Sequence, residues 1–89
     1  MSVFDLIAAD VAAAKKCVTA GDRVAAVPHL RNAAYLSAAH TVRVRVAGTS
    51  LFAGPATLTE VASPDTVWVR DDTGRLFLAF WDEITEAGW

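Results

Sequence analysis

Thr41-Val-Arg-Val-Arg-Val-Ala-Gly48 is the stretch at which the period of this chain changes. Val42, Val44 and Val46 alternate with Thr41, Arg43 and Arg45, so one face is apolar and the other polar, as in a half-buried strand. Three further strand-like runs follow: Leu51 to Ala62, Thr66 to Arg70, and Arg75 to Trp81 continuing into Ile84. Gly48, Ser63-Pro64-Asp65 and Asp71-Asp72-Thr73-Gly74 supply the turns between them. Within the second run Gly54-Pro55 predicts a bend or bulge, with Ala56, Leu58 and Ala62 continuing on one face. Val67 and Val69 are expected to point inward. On the last run Leu76, Leu78 and Phe80 alternate with Phe77, Ala79 and Trp81, so both faces are apolar. One face fills an interior, and Phe77 and Trp81 then need cover from the helices or from a partner.

Upstream of Thr41 the apolar residues recur at helical spacing. Ser2 and Asp5 form a candidate capping box, followed by Phe4, Ile7, Val11, Ala14 and Val18 on one stripe and by Gly21 as the stop. A second helical segment runs from Asp22 or Arg23 to about His40, with Val27, Leu30, Ala34 and Ser37 along one face. Pro28 lies within it, so the regular helix is expected over roughly 28–39, after a looser turn. The pair resembles a single tetratricopeptide hairpin, with Gly21-Asp22 at the turn and Ala26, Leu30 and Ala33 at its small, large and small packing positions. A lone repeat cannot bury its faces, so the reading is an ordinary αα-hairpin. The fold class is α+β, one domain over residues 1–89, divided into a helical hairpin (1–40) and a five-stranded antiparallel small β-barrel (41–89).

The barrel half resembles the Sm/LSm family and, more broadly, the SH3-like small barrels. Val42-x-Val44-x-Val46 with Gly48 resembles the first strand and its turn, Gly54 the glycine that bends the second strand, and Phe80-Trp81-Asp82-Glu83-Ile84 the short second motif. That resemblance implies RNA binding, but Glu60 to Asp65 lacks the family's nucleotide-pocket residues, and Trp81-Asp82 stands where the family has Arg-Gly or Lys-His. A pore lined by Asp82 and Glu83 repels phosphate. The resemblance therefore implies a barrel more than an RNA site.

Composition narrows the function classes. Over 89 residues the chain is 54% hydrophobic with mean hydropathy +0.34, high for so short a domain, so some apolar surface is expected to meet another chain. A formal net charge of −2 provides no global field for nucleic acid or an anionic membrane. The single cysteine, Cys17, excludes an internal disulfide and fits a reducing cytoplasm, and neither a signal peptide nor a membrane span is expected.

No residue set specifies a reaction. His29 and His40 have no carboxylate at a spacing that builds a metal site. Asp71 and Asp72 read as turn chemistry, and Asp82, Glu83 and Glu86 as solvated residues keeping an edge soluble. Thr49, Ser50 and Ser63 fit no nucleophile elbow or phosphate loop. The expectation is no catalytic residue, no metal and no cofactor. The surplus aromatics Phe52, Trp68, Phe77, Trp81 and Trp89 are the candidate interface of a non-enzymatic module that binds itself or another protein. The alternative is single-stranded nucleic-acid binding through Arg43, Arg45 and Arg70 beside Trp68 and Phe52.

Overall fold

The computed structural model describes residues 2–48 and 52–87. Two helices precede five strands: α1 (Val3–Thr19), α2 (Arg23–Ala39), β1 (Val42–Val46), β2 (Gly54–Val61), β3 (Thr66–Arg70), β4 (Leu76–Phe80) and β5 (Ile84–Glu86), with a 3-10 turn at Trp81–Glu83 between β4 and β5. The strands form one antiparallel sheet in the order β4-β3-β2-β1-β5. The sheet is open. The expected closed barrel is not formed, because β4 and β5 lie at opposite edges with no pairing between them among the described residues.

Both helix starts follow from their caps. At α1 the Ser2 hydroxyl accepts from the Asp5 amide at 3.2 Å and the Asp5 carboxylate from the Ser2 amide at 3.1 Å, the reciprocal bonds of a capping box. At α2 Asp22 accepts from the Ala25 amide at 3.0 Å, so the helix begins at Arg23 and not, as expected, at Pro28. Pro28 stands inside it on the exposed side. The carbonyl that loses its partner there is that of Val24, itself 82% exposed, and water can replace the bond. The buried face of α2 is Ala26, Ala33 and Ser37, with Leu30 half-buried, while Val27 is turned outward. The tetratricopeptide-like positions thus mark the packed stripe, and Val27 and Ala34 lie beside it.

A single core joins hairpin and sheet. Ile7, Val11 and Ala33 from the helices pack with Val42, Val44, Val46, Ala56, Leu58, Val61, Val67, Val69, Ala79 and Ile84. The helices therefore cover one face of the sheet and leave the other in water. Alternation on β1 and β3 is as expected, with three valines of β1 and Val67 and Val69 of β3 inward. On β2 it is interrupted. Gly54, with φ at +124°, opens the strand, and Pro55, opposite Arg45, lies past the stretch that β3 pairs. The irregularity sits between Leu58 and Glu60, where the pairing with β3 shifts. This bulge reverses the inward parity from Ala56 and Leu58 to Val61, so Ala62 is exposed.

The bulge also accounts for Ser37, the one buried polar side chain among the described residues. Displaced from a regular ladder, the Thr59 carbonyl accepts at 3.3 Å from the Ser37 hydroxyl, which also reaches the Ala34 carbonyl at 2.9 Å, while the Thr59 hydroxyl donates to the Trp68 carbonyl at 3.0 Å. Ser37, 5% exposed, locks α2 to the irregular turn of β2. Ser37→Ala leaves the Thr59 carbonyl without this donor and is expected to cost about 1–2 kcal/mol, read as a fall in the urea unfolding midpoint at unchanged slope.

Candidate interaction surface

With the helices on the inner face, the outer face is set by register. The β3–β4 pairs Thr66–Phe80, Trp68–Leu78 and Arg70–Leu76 stand on it, as do Arg43, Arg45 and Thr57 from β1 and β2. Leu76, Leu78 and Phe80 are 59%, 43% and 56% exposed and Trp68 37%. They form an apolar strip running to the free edge of the sheet. The opposite set on β4 is covered within the chain. Phe77 stacks on Phe52 at 5.1 Å between ring centroids, and Trp81 stacks on Phe4 of α1 at 5.5 Å. Of the expected interface aromatics, then, Phe52, Phe77 and Trp81 are half-buried against the core, Trp68 faces outward, and Trp89 lies outside the described residues. Leu76, Leu78 and Phe80 take the exposed role. The expectation for β4 is thereby reversed: the face of Phe77 and Trp81, expected to supply the interface, is the inner one, and Leu76, Leu78 and Phe80 face water, because Phe52 and Phe4 cover the aromatic set.

The arginines of the alternative reading share that outer face. Arg43, Thr57 and Arg70 fall in one cross-strand row, and Arg45 is the next outward residue of β1. Arg43 is committed within the chain: its guanidinium donates to the Thr57 hydroxyl at 2.9 Å and pairs with Asp72 at 3.0 Å. Arg45 and Arg70 are exposed. A shallow cleft of ≈ 330 Å³ at the end of α2 is lined by Ser37, His40, Thr57 and Arg70 among others. Its lining holds neither a carboxylate nor a thiol.

The acidic residues act locally. The Asp71 carboxylate accepts from the Thr73 hydroxyl at 2.7 Å, the Thr73 amide at 3.0 Å and the Arg75 amide at 2.9 Å, closing the β3–β4 turn. The Thr73 hydroxyl bond, aided by the two amides and the Arg75 charge, outweighs partial desolvation and holds the Asp71 carboxyl below the usual carboxylate range. Asp10 sits beside His29 at 3.6 Å and accepts from the Asn32 side chain, tying α1 to α2. Among the described residues no group of three or more His, Cys, Asp or Glu side chains is placed to hold a metal ion, and no helix is long and apolar enough to cross a membrane. Glu83 is engaged within the chain, whereas Asp82 and Glu86 are exposed.

Neither family models, nor curated proteins, nor solved structures match this chain.

Because the folded Asp71 pKa is depressed, its contribution to the turn is present above the unfolded aspartate value of about 3.9 and is lost as pH falls through the folded value. The amide resonances of Thr73 and Arg75 should therefore titrate with a midpoint below about 3.9, a transition that Asp71→Asn removes.

Proposed function

We propose that this chain is a non-enzymatic interaction and assembly module that self-associates through the outer face of β3 and β4. The observation that carries the reading is the exposure of Leu76, Leu78 and Phe80 at alternate positions of an edge strand, beside Trp68. Apolar side chains gathered at one edge support a protein-contact surface. Removing Leu76, Leu78, Phe80 and Trp68 from water supports a concentration-dependent association. The sheet order, with β5 returning beside β1 and a helical hairpin across the inner face, supports a small-barrel relationship of the SH3-like or Sm-like kind, left open between β4 and β5. A reducing cytoplasm suits the lone Cys17.

Light scattering coupled to size exclusion at tens of micromolar tests this. The parent chain should exceed the monomer mass, and Leu78→Asp should return it to monomer with an unchanged far-ultraviolet circular dichroism spectrum, because the side chain lies on the outer face and outside the core. A monomeric parent chain overturns the proposal.

A second reading rests on Arg45 and Arg70 standing on the same outer face as Trp68. Aromatic stacking beside guanidinium groups suits a single strand of RNA or DNA. It predicts oligonucleotide binding that quenches tryptophan fluorescence, weakens with rising salt, and falls at least tenfold in Arg45→Ala/Arg70→Ala. Absence of salt-dependent binding removes it.

A further inference from the structure

Where α2 meets the sheet, the strands are of unequal length. β1 begins at Val42, opposite Leu58, so β2 runs on through Thr59 and Glu60 with no β1 residue beside it. Ser37 ties α2 to the Thr59 carbonyl there, and the hollow left between the helix end and β2 is the cleft of ≈ 330 Å³. Arg70, the cross-strand neighbour of Thr57, lines it from β3.

The donors of this cleft are uncommitted. Arg70 is exposed and makes no ion pair among the described residues, in contrast to Arg43 of the same cross-strand row, which Asp72 neutralises. His40 donates its amide to the Leu36 carbonyl at 3.1 Å, closing α2, while its imidazole has no partner among the described residues. The Thr57 hydroxyl accepts from Arg43 at 2.9 Å, so its own proton is left to donate. In a chain with 10 Asp and Glu residues and a net charge of −2, a hollow lined by a guanidinium and an imidazole and by no carboxylate favours an anion. Three donors from three elements match the three terminal oxygens of a phosphate monoester. A carboxylate offers two.

The wall formed by α2 has the opposite polarity. The carbonyls of Ser37, Ala38 and Ala39 lie past the last helical donor and accept no hydrogen bond from the described residues. They form the negative end of the helix dipole. A bare anion is attracted at the Arg70 wall and repelled at this one. A ligand with a phosphate at one end and hydroxyls at the other satisfies both.

We infer that the cleft binds a sugar phosphate, its phosphoryl oxygens on Arg70, His40 and the Thr57 hydroxyl and its sugar hydroxyls donating to the last carbonyls of α2. The volume lies at the lower end of the range of about 300–1,000 Å³ for small-molecule sites. The site shares Arg70 with the nucleic-acid reading and no residue with the β4 face, so it stands whether or not the chain self-associates.

Nuclear magnetic resonance titration of the ¹⁵N-labelled chain with glucose 6-phosphate, at an ionic strength of about 0.15 M, tests this. Saturable amide shifts are expected at His40, Thr41, Thr57 and Arg70. Inorganic phosphate and glucuronate should each bind at least about fivefold more weakly, and glucose not measurably. Arg70→Gln should weaken binding about tenfold, and Arg45→Gln, on the same face but outside the cleft, less than about twofold. Both side chains are exposed, and circular dichroism checks that each variant is folded. Shifts that do not saturate, equal affinity for inorganic phosphate, or an Arg70→Gln chain that binds as the parent does overturn the inference. Equal weakening by Arg45→Gln overturns it as well, since it assigns the anion to the outer face.

Discussion

Burial of one face of a five-stranded sheet beneath a helical hairpin is the constraint on which the rest of this structure depends. The inner residues of the sheet are mostly valine, small side chains that need close cover from Ile7 and Val11 of α1 and Ala33 of α2. With so few large side chains, the core has little surplus, and its margins are sealed by aromatic pairs: Phe4 on Trp81 at the α1 side and Phe52 on Phe77 near the start of β2. Ser37 and the β2 bulge add the polar lock that fixes α2 against the sheet. Once these cover the inner face, no secondary structure remains among the described residues to cover the outer one.

That exhaustion of cover links packing to function. A chain of 89 residues that is 54% hydrophobic cannot hide all of its apolar surface, and the excess falls on both helices and on the outer face of β3 and β4. On β4 it belongs to Leu76, Leu78 and Phe80 of an edge strand. Further apolar exposure on α2, at Val24, Val27 and Tyr35, shares its helix with exposed Arg23 and Arg31 and forms no comparable edge. Charge is used in the opposite way, to close the chain on itself: Asp71 shapes the β3–β4 turn, and Asp72 neutralises Arg43. The outer face keeps Arg45 and Arg70 at its polar end and leucine and phenylalanine at its edge.

Legibility varied with how strongly polar and apolar residues segregated. Val42, Val44 and Val46 between arginines could be assigned a face at once, and Val67 and Val69 followed the same logic. The Asp71-Asp72-Thr73-Gly74 turn was equally plain, because its chemistry is local. The α2 start was misjudged because proline propensity is a local cost, whereas the Asp22 cap and solvation of the Val24 carbonyl offset it in the fold. The bulge at Thr59 has no local signature: glycine and proline at 54 and 55 are the expected marks of irregularity, yet the ladder shifts four to six residues later, where Ser37 of α2 accommodates the freed carbonyl.

The sequence by itself determined a helical hairpin followed by antiparallel strands, the inward valines, the caps and the turns, since each depends on neighbours within a few residues. The candidate surface was assigned to the wrong face of β4, that of Phe77 and Trp81. Phe77 and Trp81 carry more aromatic bulk than Leu76 and Leu78, and nothing local says which set is hidden. Tertiary structure decided it by bringing Phe52 and Phe4, from elements distant in the chain, onto the inner set. It also decided that the sheet stays open, because closure requires β4 and β5 to meet, and the 3-10 turn at Trp81–Glu83 carries the chain across to β1 instead.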